Sequence, residues 1–214
     1  VWTKEELQKI NEVCQQNNVL VISDEIHSDI VYKPHRYTPY ASLPEVSAEA
    51  AFTCISPAKT FNIPGIVDAM IIIPHEPHRQ RYDQFADKFQ INRNNVFALT
   101  AMETAYQYGE DWLTLLLGYL QENISVIRDY LSQHIPQVRL IDPQGTFLVW
   151  LDFRGLGMEA KELDQFLAQN ARLAISPGYW FGREGAGFAR MNIAVPRSVL
   201  LEALSRLAQA CASI

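Results

Sequence analysis

Ala51-Phe52-Thr53-Cys54-Ile55-Ser56-Pro57-Ala58-Lys59-Thr60-Phe61-Asn62-Ile63-Pro64-Gly65-Ile66-Val67-Asp68-Ala69-Met70-Ile71-Ile72-Ile73 sets one lysine between two apolar runs. Residues 51–55 and 66–73 each read as a buried strand, being short, apolar and bounded by turn formers. Lys59 then falls on a loop punctuated by Ser, Pro and Gly. On the loop alone, a solvated lysine is the ordinary reading. The upstream run Val19-Leu20-Val21-Ile22-Ser23 changes it, because this third strand ends in a carboxylate, Asp24.

An amine on one strand end and a carboxylate on another suit pyridoxal 5′-phosphate (PLP). The amine captures the cofactor's aldehyde, and the carboxylate keeps the pyridine nitrogen protonated. Ser56, three positions before the lysine, is a hydroxyl suited to the cofactor's phosphate. In wound α/β sheets, ligands bind beyond the carboxyl ends of the strands, which is where Asp24 and Ser56 fall. Asp24 equally fits a strand-end turn residue. His27 fits a side chain that bonds the ring or orients Asp24, and equally a partly buried structural histidine. Arg190, in Gly187-Phe188-Ala189-Arg190-Met191-Asn192-Ile193-Ala194, is a lone charge in an apolar strand. The α-carboxylate of an amino-acid substrate would pair with its planar fork, and so would a structural carboxylate. Tyr179, Trp180 and Phe181 read as loop aromatics that wall a site or pack at a domain junction.

Around these residues the chain reads as α/β. Thr3-Lys4-Glu5-Glu6 is a capping box opening a helix with Leu7, Ile10, Val13 and Cys14 on one face. Residues 33–49 read as a polar, Pro-rich loop with a short helix, and 78–91 and 95–108 as helices. A long amphipathic helix is expected over 111–133, with Leu116, Leu120, Ile124, Ile127 and Leu131 on its stripe. An antiparallel pair at 138–141 and 146–153 follows, then a helix at 159–170 and a strand at 171–175. A Gly-rich loop at 178–187, a strand at 188–194 and a helix after Pro196 complete the chain, with Leu200, Leu201, Leu204, Leu207 and Ala208 inward. Residues 1–110 read as part of a large α/β layer and 111–214 as a smaller α+β domain.

The 214 residues carry a net charge of −6, which disfavours a nucleic-acid partner. No apolar run is long enough to span a bilayer and no signal peptide stands out, so a cytoplasmic protein is expected. Cys14, Cys54 and Cys211 lack metal or disulfide spacing and read as buried free thiols. The abrupt start at Val1 reads as truncation.

Four stretches carry a family likeness: Ser23 through Tyr32, Ser56 through Gly65, Pro143 through Asp152, and Ser176 through Arg197. With them the chain resembles the fold-type I PLP-dependent aminotransferases of class I/II. Within these it looks most like the cystathionine β-lyase, or C–S lyase, subgroup, to which Asp24-Glu25-Ile26-His27 points. The resemblance implies Lys59 as the Schiff-base lysine and Asp24 as partner of the ring nitrogen. It implies Ser56 on the phosphate and Arg190 on the substrate carboxylate. His27 stands where many of the wider family carry a tyrosine, and Val67 where many carry a phosphate-binding arginine.

The resemblance also implies a homodimer acting on a small amino-acid substrate, and a chain corresponding to the C-terminal half of such an enzyme. Surface that the other half normally covers would then be exposed. Three functions follow from this reading. The first is a C–S β-lyase giving pyruvate, ammonia and a thiol; the others are an aminotransferase and a PLP-fold regulatory or binding protein. The isolated 214 residues are expected to be inactive.

Overall fold

The Thr3 hydroxyl accepts the Glu6 N–H at 3.2 Å while the Glu6 carboxylate accepts the Thr3 N–H at 2.8 Å, so the capping box forms and opens α1, Lys4–Gln16. The computed structural model describes every residue except Glu45, Ser47, Ala48, Val67 and Asn94. Val67, the position expected to depart from the family's arginine, therefore lies outside the described residues.

Two compact units divide the chain, Val1–Leu115 and Leu116–Ile214. In the first, α1 is followed by β1 (Val21–Asp24), β2 (Ala51–Ile55), α2 (Pro57–Thr60), β3 (Met70–Ile72), α3 (Glu76–Phe89) and α4 (Val96–Tyr108). The sheet order is β1-β2-β3, with β1 parallel to β2 and β3 antiparallel to it. Leu7, Tyr40, Leu43 and Ala51 form a buried cluster against which Ile10 and Val21 pack. Val13, expected on the inner face of α1, is exposed. The buried stripe runs instead through Leu7 and Asn11, whose amide oxygen accepts the Tyr40 hydroxyl at 3.0 Å. Ile22, Ile71 and Ile72 lie exposed on the two outer strands.

Two expectations in this unit are corrected. Lys59 is not on a loop; it lies in α2, a single turn that Ser56 caps and Pro57 opens, a favoured pair of residues for a helix start. The strand expected over 66–73 is limited to Met70–Ile72. Its first residues are used otherwise: the Ile66 N–H bonds the Ile63 carbonyl at 3.0 Å, and the Asp68 carbonyl accepts the Ser56 hydroxyl at 2.7 Å.

α5, Glu110–His134, begins in the first unit and runs on into the second. There it precedes β4 (Arg139–Ile141), β5 (Leu148–Asp152), α6 (Ala160–Gln165), β6 (Ser176–Pro177), β7 (Phe188–Asn192) and α7 (Arg197–Cys211). The sheet order is β4-β5-β7-β6, all neighbours antiparallel. Leu120, Ile124, Ile127 and Leu131 bury the expected stripe of α5, each contributing roughly 1.5–3 kcal/mol. Leu200, Leu204 and Leu207 do the same for α7, whereas Leu201 is exposed. The fully buried Asn123 donates to the Ile193 carbonyl at 2.8 Å and accepts from Arg197 Nε, tying α5 to the sheet and to the first turn of α7.

The strand expected at 171–175 is absent. α6 passes into a π turn, Phe166–Asn170, after which Arg172 has φ 54° and the Leu173 N–H bonds the Leu167 carbonyl at 2.8 Å. The backbone is still closing the helix there, so pairing with β7 starts only at Ser176. The three cysteines are free but only partly buried.

Candidate active site

In the parallel pair β1–β2, Asp24 stands beside Cys54, one residue before β2 ends. Both strands deliver their carboxyl ends to the same sheet edge, and the chain leaving β2 turns at once through Ser56 into α2 and Lys59. Asp24 is exposed, and its Oδ1 accepts the Ile26 N–H at a long 3.3 Å. Burial, then the charges of Asp24 and Glu25, push the Cys54 thiol above its ordinary value. Two carboxylates thus act on one strand end.

Glu25 departs from the usual habit of carboxylates and is buried. Its donors make this tolerable: the Ser23 hydroxyl at 2.9 Å, the Tyr40 N–H at 3.0 Å and the Tyr37 hydroxyl. Burial first, and then that bond to Glu25, push the Tyr37 phenol well above its ordinary value. His27 is half-buried in the turn that follows β1.

Ser56 is buried and doubly engaged. Its Oγ accepts the Ala58 N–H at 3.2 Å as the helix cap and donates to the Asp68 carbonyl at 2.7 Å. A phosphate oxygen would compete with that carbonyl for one hydroxyl proton. Lys59 is half-buried and makes no ion pair among the described residues. Its neighbour Thr60 is fully buried, with its hydroxyl donated to Asp29 at 2.8 Å.

Arg190 belongs to the second unit, on β7 opposite Trp150 of β5 and Ser176 of β6. Its guanidinium carbon lies 4.6 Å from the centre of the Phe181 ring. Its Nε is buried and has no hydrogen-bond partner among the described residues. Trp150 stacks on Phe188 and meets Phe181 edge-on, both at 5.6 Å, so the arginine rises from an aromatic floor. Tyr179 is held by Asp164 at 3.1 Å, while Trp180 is exposed. The loop carrying these aromatics is drawn tight at Gly178 and Gly185: a Cβ on Gly178 would lie 2.1 Å from the Gly185 carbonyl oxygen. At the far end of β5, Asp152 pairs twice with Arg154, at 2.9 and 2.7 Å, which holds its carboxyl below the usual range.

Asp24, His27, Ser56 and Lys59 are thus gathered in the first unit, and Arg190 lies in the second. Glu25 and the Asp29–Thr60 pair escape a reading of the sequence. The one hint to Glu25 is its place directly after a strand, next to another acid.

The sequence matches the family described as aminotransferase class I and II over residues 1–207. It is 36% identical over 206 residues to the cystathionine beta-lyase PatB of Bacillus subtilis, covering 96% of this chain and 53% of that protein. To the protein MalY of Escherichia coli it is 36% identical over 216 residues, covering 100% of this chain and 54% of that one. The crystal structure of cystalysin from Treponema denticola, which contains pyridoxal 5′-phosphate, matches with a TM-score of 0.93 at 32% identity, over 100% of this chain and 54% of that chain. The chain spans about half the length of the curated relatives it matches.

Proposed function

The chain belongs to the class I and II aminotransferase family and carries its α/β fold, and from that premise we propose that it is part of a PLP-dependent carbon–sulfur β-lyase. The substrate is a cystathionine-type amino acid, split with water into a thiol, pyruvate and ammonia. The observation that carries this reading is the register that sets Asp24 beside the end of β2, from which Ser56 and Lys59 directly follow. The name of the Bacillus relative and the cofactor of cystalysin support the choice within the family.

The residues fit the cofactor by their chemistry. An amine without an ion pair among the described residues, an exposed strand-end carboxylate and a hydroxyl able to redirect its proton lie at or just beyond the carboxyl ends of β1 and β2. Bound there, PLP supplies an aldehyde for an amine and a protonated ring that draws electrons from the substrate's Cα. Lys59 Nζ holds the cofactor and then takes the Cα proton. The Asp24 carboxylate keeps the proton on the ring nitrogen. Ser56 Oγ turns from Asp68 to the phosphate, and His27 orients Asp24. Arg190, whose Nε has no hydrogen-bond partner among the described residues, is the candidate for the substrate carboxylate. The intact enzyme is read as a cytoplasmic homodimer, in keeping with the family resemblance; no helix among the described residues is long and apolar enough to cross a membrane.

The test is spectroscopic and chemical. The intact protein loaded with PLP is expected to show a visible band that Lys59→Ala abolishes, and to release pyruvate and ammonia from cystathionine. Conversion that needs a keto acid and frees no ammonia would make it an aminotransferase instead. A band indifferent to Lys59→Ala would remove the lysine assignment.

A further inference from the structure

The sheet fixes the ends of β1 and β2, but Lys59 lies beyond it, on a helix of four residues. One isolated turn has no stability of its own, so neighbouring segments must set where this lysine stands. They converge on the two residues that follow it. Thr60 is fully buried; its Oγ1 donates to Asp29 Oδ2 at 2.8 Å, and its carbonyl accepts Trp112 Nε1 at 3.2 Å. The Phe61 ring lies so close to Gly109 that a Cβ there would be 2.2 Å from Cε1, and it meets Tyr106 edge-on at 5.9 Å. Burial and the nearby Asp29 carboxylate push the Tyr106 phenol up, which places Asp29 at the same junction.

Asp29 belongs to the segment that leaves β1 and therefore follows Asp24 closely along the chain. Thr60 is the residue next to Lys59. The Asp29–Thr60 hydrogen bond thus joins the acid's segment to the amine's, outside the sheet ladder. We infer that the Asp29–Thr60 hydrogen bond is a brace that sets the separation of Lys59 Nζ and the Asp24 carboxylate, so that Asp29 and Thr60 are positioning residues. The inference rests on the PLP reading given above. A misplacement of about 1 Å at a reacting group can cost about a hundredfold in rate, so a bond of this kind has leverage on catalysis.

The experiment uses the intact protein loaded with PLP and the variant Thr60→Val, which keeps the buried shape and loses the donor. Three quantities are read: kcat against KM, the visible circular dichroism per bound PLP, and the melting temperature. The expected result is a fall of about tenfold in kcat with KM within about twofold, and a reduced dichroic amplitude at similar cofactor content. Thr60→Ser, which restores a hydroxyl, is expected to recover both. Asp29→Ala added to Thr60→Val should cost little more, since each residue acts through the other.

Should Thr60→Val not fold, the half-exposed Asp29 carries the same test: Asp29→Ala loses the effect, and Asp29→Asn, which keeps an acceptor oxygen, retains it. Wild-type kcat and dichroism in Thr60→Val, with the visible band present, would sink the brace alone. A wild-type protein that shows no visible band with PLP would overturn the cofactor reading, and the brace with it.

Discussion

Glu25 accepts the backbone N–H of Tyr40 at 3.0 Å, so a carboxylate next to Asp24 anchors a segment 15 residues downstream. With Ser23 and Tyr37 it forms a polar knot under the strand end that presents Asp24. Glu25→Ala would leave the buried Tyr40 N–H without its acceptor and take the acceptor from the part-buried Ser23 and Tyr37 hydroxyls. The expected loss is about 2–4 kcal/mol, read as a lower urea midpoint, with Glu25→Gln losing less because it keeps one acceptor oxygen. A midpoint unchanged in Glu25→Ala would contradict the anchoring role.

The same knot gives an alkaline signature. The Tyr37 phenol is raised above its ordinary value of 10.0 by burial and by Glu25. Below about pH 10 both folded and unfolded chains keep this proton, and its contribution to stability is complete. Above that, the unfolded chain releases the proton first, and stability falls as pH climbs toward the folded value. Tyr32, Tyr40 and Tyr106 are shifted in the same direction, so Tyr37→Phe should flatten this decline in part. Melting temperatures collected between about pH 8 and pH 11 would check it.

Arg190→Lys replaces a planar fork by a point charge. Binding of the amino-acid substrate is expected to weaken about 10- to 100-fold, seen in KM, while the visible band of the loaded protein stays. If the band disappeared with KM unchanged, Arg190 would belong to the cofactor rather than to the substrate.

Gly178→Ala would push a methyl group to 2.1 Å from the Gly185 oxygen and 2.6 Å from the Phe188 oxygen. Both are backbone atoms that cannot swing aside, so a loss of about 1–3 kcal/mol is expected in thermal unfolding. Gly65→Ala is the control: nothing lies within 4 Å of its added Cβ, and it should be neutral or slightly stabilising.

Features that short stretches of chain determine were legible in the sequence. Thr3 and Glu6 closed their capping box, Pro196 preceded α7, and the α5 stripe from Leu120 to Leu131 was buried as its spacing implied. The parallel ends of β1 and β2 also lie where the apolar runs place them. Features that depend on distant partners were not. α2 is too short to show periodicity and exists because Ser56 caps it and its neighbours hold Thr60. Glu25 is buried only because Tyr37 and Tyr40 return to it from a loop that reads as merely polar. Val13 and Leu201 illustrate the limit of periodicity: each is apolar and near a buried stripe, yet faces solvent.

The isoleucines on the outer strands have a practical consequence. β1 and β3 carry Ile22, Ile71 and Ile72 toward water, and among the described residues each strand has one side without a partner in its sheet. Oily side chains beside unsatisfied backbone groups invite a second molecule to add its own strand. A purified sample of these residues should therefore grow turbid as it is concentrated and clear on dilution. Arginine or a mild detergent in the buffer would delay that onset, and a charged residue in place of Ile22 would raise the tolerated concentration.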